Sequence, residues 1–191
     1  MSSPDTGPPA SAVTDTSRRA AVLDAAMVTF ARFGYRKTSM EEVARAARIS
    51  RPGLYFLFAS KEALFRAAAT QVLERDLVAV EHVLADTGRP LPDRLAEAFD
   101  QWAGRYIGPL ARDVPEVIGA NPGLLGEMAE TAPRRFEELI TDALAAETGQ
   151  EAALAVARTM ISTSIGLKHQ APTREFFLAR LKTAISLLLR P

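Results

Sequence analysis

The chain has 191 residues, of which 48% are hydrophobic and 24% charged, and its formal net charge at neutral pH is zero. This hydrophobic content is typical of a folded globular protein and excludes a wholly disordered chain. The absence of cysteine excludes disulfides and thiolate metal sites, and no apolar run reaches the roughly 18 residues of a membrane span.

Residues 1–15 are rich in Ser, Pro, Thr and Gly and are predicted to form a disordered tail. They contain neither the basic region nor the apolar stretch of a secretory signal. We therefore expect a cytoplasmic protein with no membrane partner.

Short helices are predicted directly after the tail. The segment "SRRAAVLDAAMVTFARFG" has apolar residues at helical spacing and ends at Gly34, a residue that suits a helix terminus. Ser39 and Ser50 are candidate N-caps of the next two helices, because a serine hydroxyl accepts a backbone N–H of the first turn. Glu42 follows Ser39 at the spacing of a capping box. The second helix is predicted over residues 40–47, and its close connection to the third is typical of a helix-turn-helix.

The rest of the chain is also predicted to be helical. A fourth helix begins after Ser60 and continues to about residue 86, because no Pro or Gly interrupts its apolar face. Pro133 is expected to divide a short helix from a long one. Further helices are predicted over 91–108, 114–118, 151–168 and 174–189. The predicted fold class is all-α, with three short N-terminal helices followed by a larger helical bundle.

The charges are distributed unevenly along the chain. Residues 16–66 carry ten basic and four acidic side chains, whereas residues 67–191 carry 13 basic and 17 acidic ones. A basic first third joined to an acidic remainder is typical of a DNA-binding module on a separate partner domain. The alternative is a solvated surface with uneven charge, and charge alone does not choose between the two.

The segment "VLDAAMVTFARFGYRKTSMEEVARAARISRPGLYFLFASKEALF" closely resembles the N-terminal domain of the tetracycline-repressor (TetR) family of bacterial transcriptional regulators. Its Phe-x-x-Phe-Gly-Tyr, Ile-Ser-Arg and Ser-Lys-Glu-Ala-Leu elements match in register. The resemblance implies a DNA-binding domain with a helix-turn-helix over residues 16–60. It also implies a ligand-binding and dimerisation domain over residues 61–191, where the match is one of architecture.

The second helix of a helix-turn-helix inserts its N-terminal end into the major groove. That end carries Arg51, whose forked guanidinium suits guanine O6 and N7, with a phosphate contact as the alternative. The resemblance implies that Thr38, Tyr55 and Lys61 hold the DNA backbone, and we expect Tyr55 and Lys61 to face solvent in the free protein. The alternative for Tyr55 is a core position. The predicted DNA-binding residues are Thr38, Ser39, Arg48, Ser50, Arg51, Pro52, Gly53, Tyr55, Phe56 and Lys61.

Some residues depart from the family pattern. Arg48 replaces the common turn glycine and adds positive charge near DNA, so the turn must tolerate an ordinary residue. Leu57 stands where the family usually has Tyr or His, and Gly53 lacks the threonine methyl often found there. For Leu57 we expect either that one backbone contact is missing or that the helix seats differently on DNA, and for Gly53 that one thymine contact is missing. Phe56 is exposed by its periodicity and packs either on DNA or on a neighbouring helix.

The candidate ligand-binding residues of the larger domain are aromatic side chains and methionines. They are Phe99, Trp102, Tyr106, Met128, Phe136 and Met160, and the alternative is that they form plain core. The segment "AALAVARTMISTSIG" permits close helix approach. By resemblance, the helices of residues 151–189 are expected to build a four-helix homodimer interface, with intramolecular packing as the alternative.

Sequence features of enzymes are absent. His82 and His169 lack the spacing of a metal-binding helix, and the chain has neither a nucleophile elbow nor a Gly-rich phosphate loop. We predict no enzymatic activity, no metal and no cofactor. The predicted function is a homodimeric regulator that binds double-stranded operator DNA and represses transcription until a small apolar effector releases it. The alternatives are a structural protein that binds DNA without sequence preference, and a regulator controlled by a protein partner.

Overall fold

The computed structural model of the chain describes residues 10–107 and 122–190. Every regular element in these ranges is helical, which confirms the predicted all-α fold class. The α-helices are α1 (Ala10–Phe33), α2 (Met40–Ala46), α3 (Arg51–Leu57), α4 (Lys61–Ala85), α5 (Leu91–Trp102), α6 (Met128–Thr148), α7 (Gln150–Gln170) and α8 (Arg174–Leu188). Single turns of 3-10 helix cover Gly104–Tyr106 and Pro122–Leu124. None of the described helices is both long and apolar enough to cross a membrane.

The chain divides into two compact units, Met1–Gln71 and Val72–Pro191. The division falls inside α4, so this helix contributes residues to both units. The domain boundary predicted at residue 60 would instead assign all of α4 to the larger domain.

Helix α1 is longer than its sequence pattern indicates. It begins at Ala10, so residues 10–15, which we assigned to the disordered tail, are helical; residues 1–9 lie outside the described part of the chain. The last proline of the tail is Pro9, and the alanines that follow have high helix propensity. At the other end, Gly34 adopts a left-handed φ of 81°, as its predicted role of helix terminator requires.

An aromatic cluster forms the core of the first unit. The rings of Phe30, Tyr35 and Phe65 lie 5.0 to 5.6 Å apart, centroid to centroid. Val43 of α2 and Leu54 of α3 are also buried. Burial of each large apolar side chain stabilises the fold by roughly 1.5–3 kcal/mol. This core anchors both short helices, which would not be stable in isolation.

The second unit is built from α5 to α8 and the C-terminal part of α4. Its core contains fully buried large side chains from each of the four later helices, including Phe99, Phe136, Met160 and Phe177. Helix α5 ends at Trp102 rather than near residue 108. The final two helices match the predicted ranges closely. The helix predicted at 114–118 lies outside the described residues.

The predicted division at Pro133 is wrong, because α6 runs through this residue without a break. Pro133 lies near the beginning of the helix, where it removes a single i−4 hydrogen bond. Ala132, directly before it, and Phe136, three residues after it, are buried in the core. Their packing holds the backbone helical in spite of the missing bond.

Candidate DNA-binding surface

Helix α2 begins with a complete capping box. The Ser39 backbone N–H donates to Glu42 Oε2 over 2.7 Å, and the Glu42 N–H donates to Ser39 Oγ over 3.2 Å. These hydrogen bonds lower the pKa of the Glu42 carboxyl, the bond from the Ser39 backbone most of all. The predicted box is confirmed, and it fixes where the helix-turn-helix begins.

The turn between α2 and α3 is a Schellman motif with arginine in the position that normally favours glycine. The Arg48 N–H donates to the Arg45 carbonyl and the Ile49 N–H donates to the Ala44 carbonyl, over 3.2 and 3.0 Å. Arg48 has a φ of 54°, the left-handed region in which a Cβ is strained. The turn therefore accommodates an ordinary residue, as expected, but at a conformational cost.

Helix α3 begins at a second serine cap. Ser50 Oγ accepts the Gly53 N–H over 3.1 Å, and Pro52 occupies the first turn, where its missing N–H costs no helical bond. A Cβ at residue 53 would lie 3.0 Å from Ser50 Oγ, so a larger residue there would press on the cap. Glycine at this position thus protects the start of α3.

The outer face of α3 carries the side chains that the sequence analysis assigned to DNA. Arg51 and Phe56 are exposed, Phe56 to 89%, and Tyr55 is 42% exposed. The Arg51 guanidinium carbon lies 5.6 Å from the centroid of the Tyr55 ring. Leu54 on the opposite face is completely buried. The inner face thus fixes the helix while the outer face presents one cation and two aromatic rings.

Thr38 and Lys61 are both engaged in intramolecular hydrogen bonds. Thr38 is buried, and its hydroxyl donates to the Gly34 carbonyl over 2.8 Å. Lys61 is half-buried: its Nζ donates to the carbonyls of Tyr35 and Thr38 over 3.2 Å each and lies 4.6 Å from the Tyr35 ring centroid. The expectation that Lys61 faces solvent freely is therefore wrong. The loop carbonyls attract the ammonium and offset its unfavourable position at the start of α4.

The loop before α2 also contains cations that the sequence analysis did not assign to DNA. Arg36 and Lys37 are exposed, directly before the buried Thr38. Tyr35 anchors this loop: its ring is buried, and burial, followed by the negative charge of Glu62, raises its pKa to about 12. The signal in the sequence was the adjacency of "RK" to the Thr38-Ser39 pair. Together with Arg48 and Arg51, these side chains make the surface of the helix-turn-helix strongly basic.

The candidate ligand residues of the second unit take different positions. Phe99, Phe136 and Met160 are buried in the core, and Trp102 is half-buried and stacked on Phe136 at a centroid distance of 4.8 Å. Met128 is half-buried at the start of α6, outside this core cluster. The structure thus brings four of the six candidates together.

Tyr106 belongs to a polar cluster that the sequence analysis missed. Its hydroxyl donates to Asp76, a fully buried carboxylate on α4, which also accepts a hydrogen bond from Arg105 over 2.8 Å. Burial raises the pKa of Asp76, whereas Tyr106 and Arg105 act in the opposite direction. An isolated acid in an apolar helix face was the only signal. Over residues 10–107 and 122–190, no group of three or more His, Cys, Asp or Glu is placed to hold a metal ion.

Comparison with known proteins agrees with this geometry. The model of the "Bacterial regulatory proteins, tetR family" matches residues 22–68. The chain is 39% identical over 59 residues to the HTH-type transcriptional regulator RutR of Escherichia coli. The aligned segment is 31% of this chain and 28% of RutR. It is 35% identical over 97 residues to the HTH-type transcriptional repressor ComR of the same organism, covering 51% and 45%. The chain thus spans less than half the length of either relative.

The fold has close counterparts among solved structures. The crystal structure of a putative TetR-family transcriptional regulator from Mesorhizobium loti superimposes with a TM-score of 0.74 over 91% of this chain and 96% of that one, at 17% sequence identity. At this identity the likeness shows a common fold. The family match and the shared all-α fold agree: residues 22–68, which contain the helix-turn-helix, match the tetR family of bacterial regulatory proteins, and the described chain has the fold of a solved structure assigned to that family.

Proposed function

We propose that this protein is a homodimeric transcriptional regulator that binds a specific operator sequence and represses transcription from it. The observation that carries the proposal is the outer face of α3, where Arg51, Tyr55 and Phe56 are exposed while Leu54 anchors the helix in the core. A rigid helix with an exposed basic and aromatic end suits insertion into the major groove.

Each exposed group has a role in this complex. Arg51 reads a guanine, Phe56 packs on a base or sugar, and Tyr55 donates its hydroxyl to a phosphate. Lys61 donates two of its three N–H groups to loop carbonyls, and the third N–H donates to a phosphate. Buried Thr38 shapes the loop, and its exposed neighbours Arg36 and Lys37 supply further phosphate contacts.

Dimerisation is supported by apolar side chains that the second unit leaves exposed. Leu154 and Ile165 lie on α7, and Phe176 and Leu187 lie on α8, with exposed fractions between 36% and 54%. Their spacing along each helix follows one face. A two-fold axis through these faces builds a four-helix interface and sets two recognition helices about 34–36 Å apart, one turn of DNA.

Regulation follows from helix α4, which contributes to both units. A small effector that binds the second unit in one state of α4 alters operator affinity through that helix. A coupling of about 1–3 kcal/mol changes the affinity 5–150-fold. ComR, a relative, is a repressor by name, which favours repression over activation. We place the protein in the cytoplasm, where its operator is accessible.

The proposal is tested by selection of preferred sites from random double-stranded DNA, followed by footprinting. We expect one near-palindromic sequence to be enriched and protected, with half-sites about one turn apart. Arg51→Ala should cost about 1–3 kcal/mol on that sequence and relax the preference at one base pair in each half-site. Equal affinity for selected and random DNA would contradict the proposal.

A further inference from the structure

The polar cluster of the second unit is almost, but not completely, balanced in charge. The buried Asp76 carboxylate is paired with Arg105, whose side chain is 40% exposed, and with the Tyr106 hydroxyl. Its two oxygens each have a hydrogen-bond partner. Asp76 therefore has no need of a further cation.

Lys168 lies beside this cluster and carries a positive charge that no carboxylate of the described residues pairs with. It lies on α7, is half-buried, and places its Nζ 5.7 Å from the centroid of the Tyr106 ring. Among the described residues no carboxylate lies within ion-pair distance of this ammonium. Burial lowers the pKa of Lys168 without any opposing contribution. A partly desolvated cation that has no counterion among residues 10–107 and 122–190 is costly within that part of the chain, so the position favours an incoming anion.

Apolar side chains flank Tyr106 and Lys168 along the chain. Trp102, one turn before Tyr106, is half-buried and stacks on Phe136, and Ile107 is half-buried against the same core. On α7, the buried Met160 precedes Lys168 by two turns on the same face. The elements that carry Tyr106 and Lys168 thus combine one cation with aromatic and aliphatic side chains.

We propose that Lys168, Tyr106 and Trp102 bind a small organic carboxylate with an apolar body, the carboxylate against Lys168 and the body against Trp102. This inference rests on the proposed function and names the chemical class of its effector. Tyr106 also holds Asp76 of α4, so an occupant that moves Tyr106 changes the contacts of the helix shared by both units. An amine of the same shape would meet a like charge.

The test compares octanoate, 1-octanol and octylamine, which share one apolar body. Trp102 is the only tryptophan of the chain, so its fluorescence reports binding at this site in the full-length protein. We expect octanoate to bind at least tenfold more tightly than 1-octanol, the size of a hydrogen bond to a charged group. Octylamine should bind more weakly than the alcohol.

Substitutions assign the preference to one side chain. Lys168→Met should remove the preference for octanoate over 1-octanol and leave 1-octanol binding unchanged, whereas Lys168→Arg should retain the preference. Lys182→Met, at an exposed lysine of α8, is the matched control and should behave as the wild type. A preference that survives Lys168→Met, equal binding of acid and alcohol, or no binding by any of the three compounds would overturn the inference.

DNA binding is measured separately, by anisotropy of the selected operator. If octanoate is preferred through Lys168 but no DNA sequence is, the carboxylate site stands and the proposed regulatory function fails. If the operator is bound specifically but octanoate has no preference over 1-octanol, the regulatory function stands and the carboxylate site fails.

Discussion

Arg48 is the residue at which local backbone strain opposes a proposed role in DNA binding. Its left-handed backbone costs roughly 1–2 kcal/mol relative to glycine, part of which the greater freedom of an unfolded glycine cancels. We therefore expect Arg48→Gly to stabilise the protein by about 0.5 kcal/mol and to raise its melting temperature slightly. The same change removes a cation, so operator affinity should fall and the log–log salt slope should decrease by about 0.9.

Arg48→Asn separates the two effects. Asparagine tolerates the left-handed region and lacks the charge, so it should also lose operator affinity while the stability stays near that of the wild type. Arg48→Lys keeps the positive charge, so the salt slope of operator binding should equal that of the wild type. Calorimetric melting and binding titrations over a range of salt concentrations measure both quantities. A lower stability for Arg48→Gly would show that the arginine side chain makes stabilising contacts in the folded protein that outweigh the strain.

The elements of the first unit show which features are readable from sequence. The caps at Ser39 and Ser50 depend on residues only three positions apart, so local spacing was sufficient to predict them. Pro133 was misread because its local preference is overridden by the burial of Ala132 and Phe136, which only the tertiary fold determines. Local patterns fail where packing between distant segments decides the outcome.

In the candidate sites, too, local features are readable from the sequence, whereas contacts between distant residues are not. The exposure of Phe56 follows from helical periodicity, whereas the bond from Lys61 to Tyr35 joins residues 26 positions apart and has no local signature. Asp76 and Tyr106 are separated by 30 positions. The family resemblance identified Lys61 as important but not its carbonyl partners.

The connection between the α1–α2 loop and α4 leads to a prediction about Lys61. Lys61→Met removes two charged hydrogen bonds to the loop, so we expect a loss of stability of about 1–3 kcal/mol. If the remaining donor binds phosphate, the salt slope of operator binding should also decrease by about 0.9. Circular dichroism melting and salt-dependent binding titrations give the two values.

Tyr55→Phe is the matched control for this experiment. Tyr55 is 42% exposed and loses only a neutral hydroxyl, so its melting temperature and salt slope should stay unchanged while operator binding weakens by about 0.5–1.5 kcal/mol. A Lys61→Met protein with lower stability and an unaltered slope would restrict Lys61 to a structural role.

At the scale of the whole molecule, the decisive question is whether exposed apolar residues of α7 and α8 form the dimer interface. Ile165 and Leu187 are each 54% exposed, so a charge there should leave the core of the subunit intact. Ile161 packs against that core, which makes it a poor choice, because its substitution would unfold the subunit. We expect Ile165→Glu and Leu187→Glu to sediment as folded monomers, since two like charges would be buried across the two-fold axis.

Val78 supplies the control for these dimer variants. It lies on α4, outside α7 and α8, and is 66% exposed, so Val78→Glu adds the same charge on an exposed apolar position and should remain dimeric. Circular dichroism must show native helicity in all three variants. The monomeric forms should bind a single half-site weakly and lose most of their affinity for the paired sites, because the second half-site then binds independently. If Ile165→Glu and Leu187→Glu sediment as dimers, the interface lies on another surface, and the spacing of one DNA turn between recognition helices must be set by that surface instead.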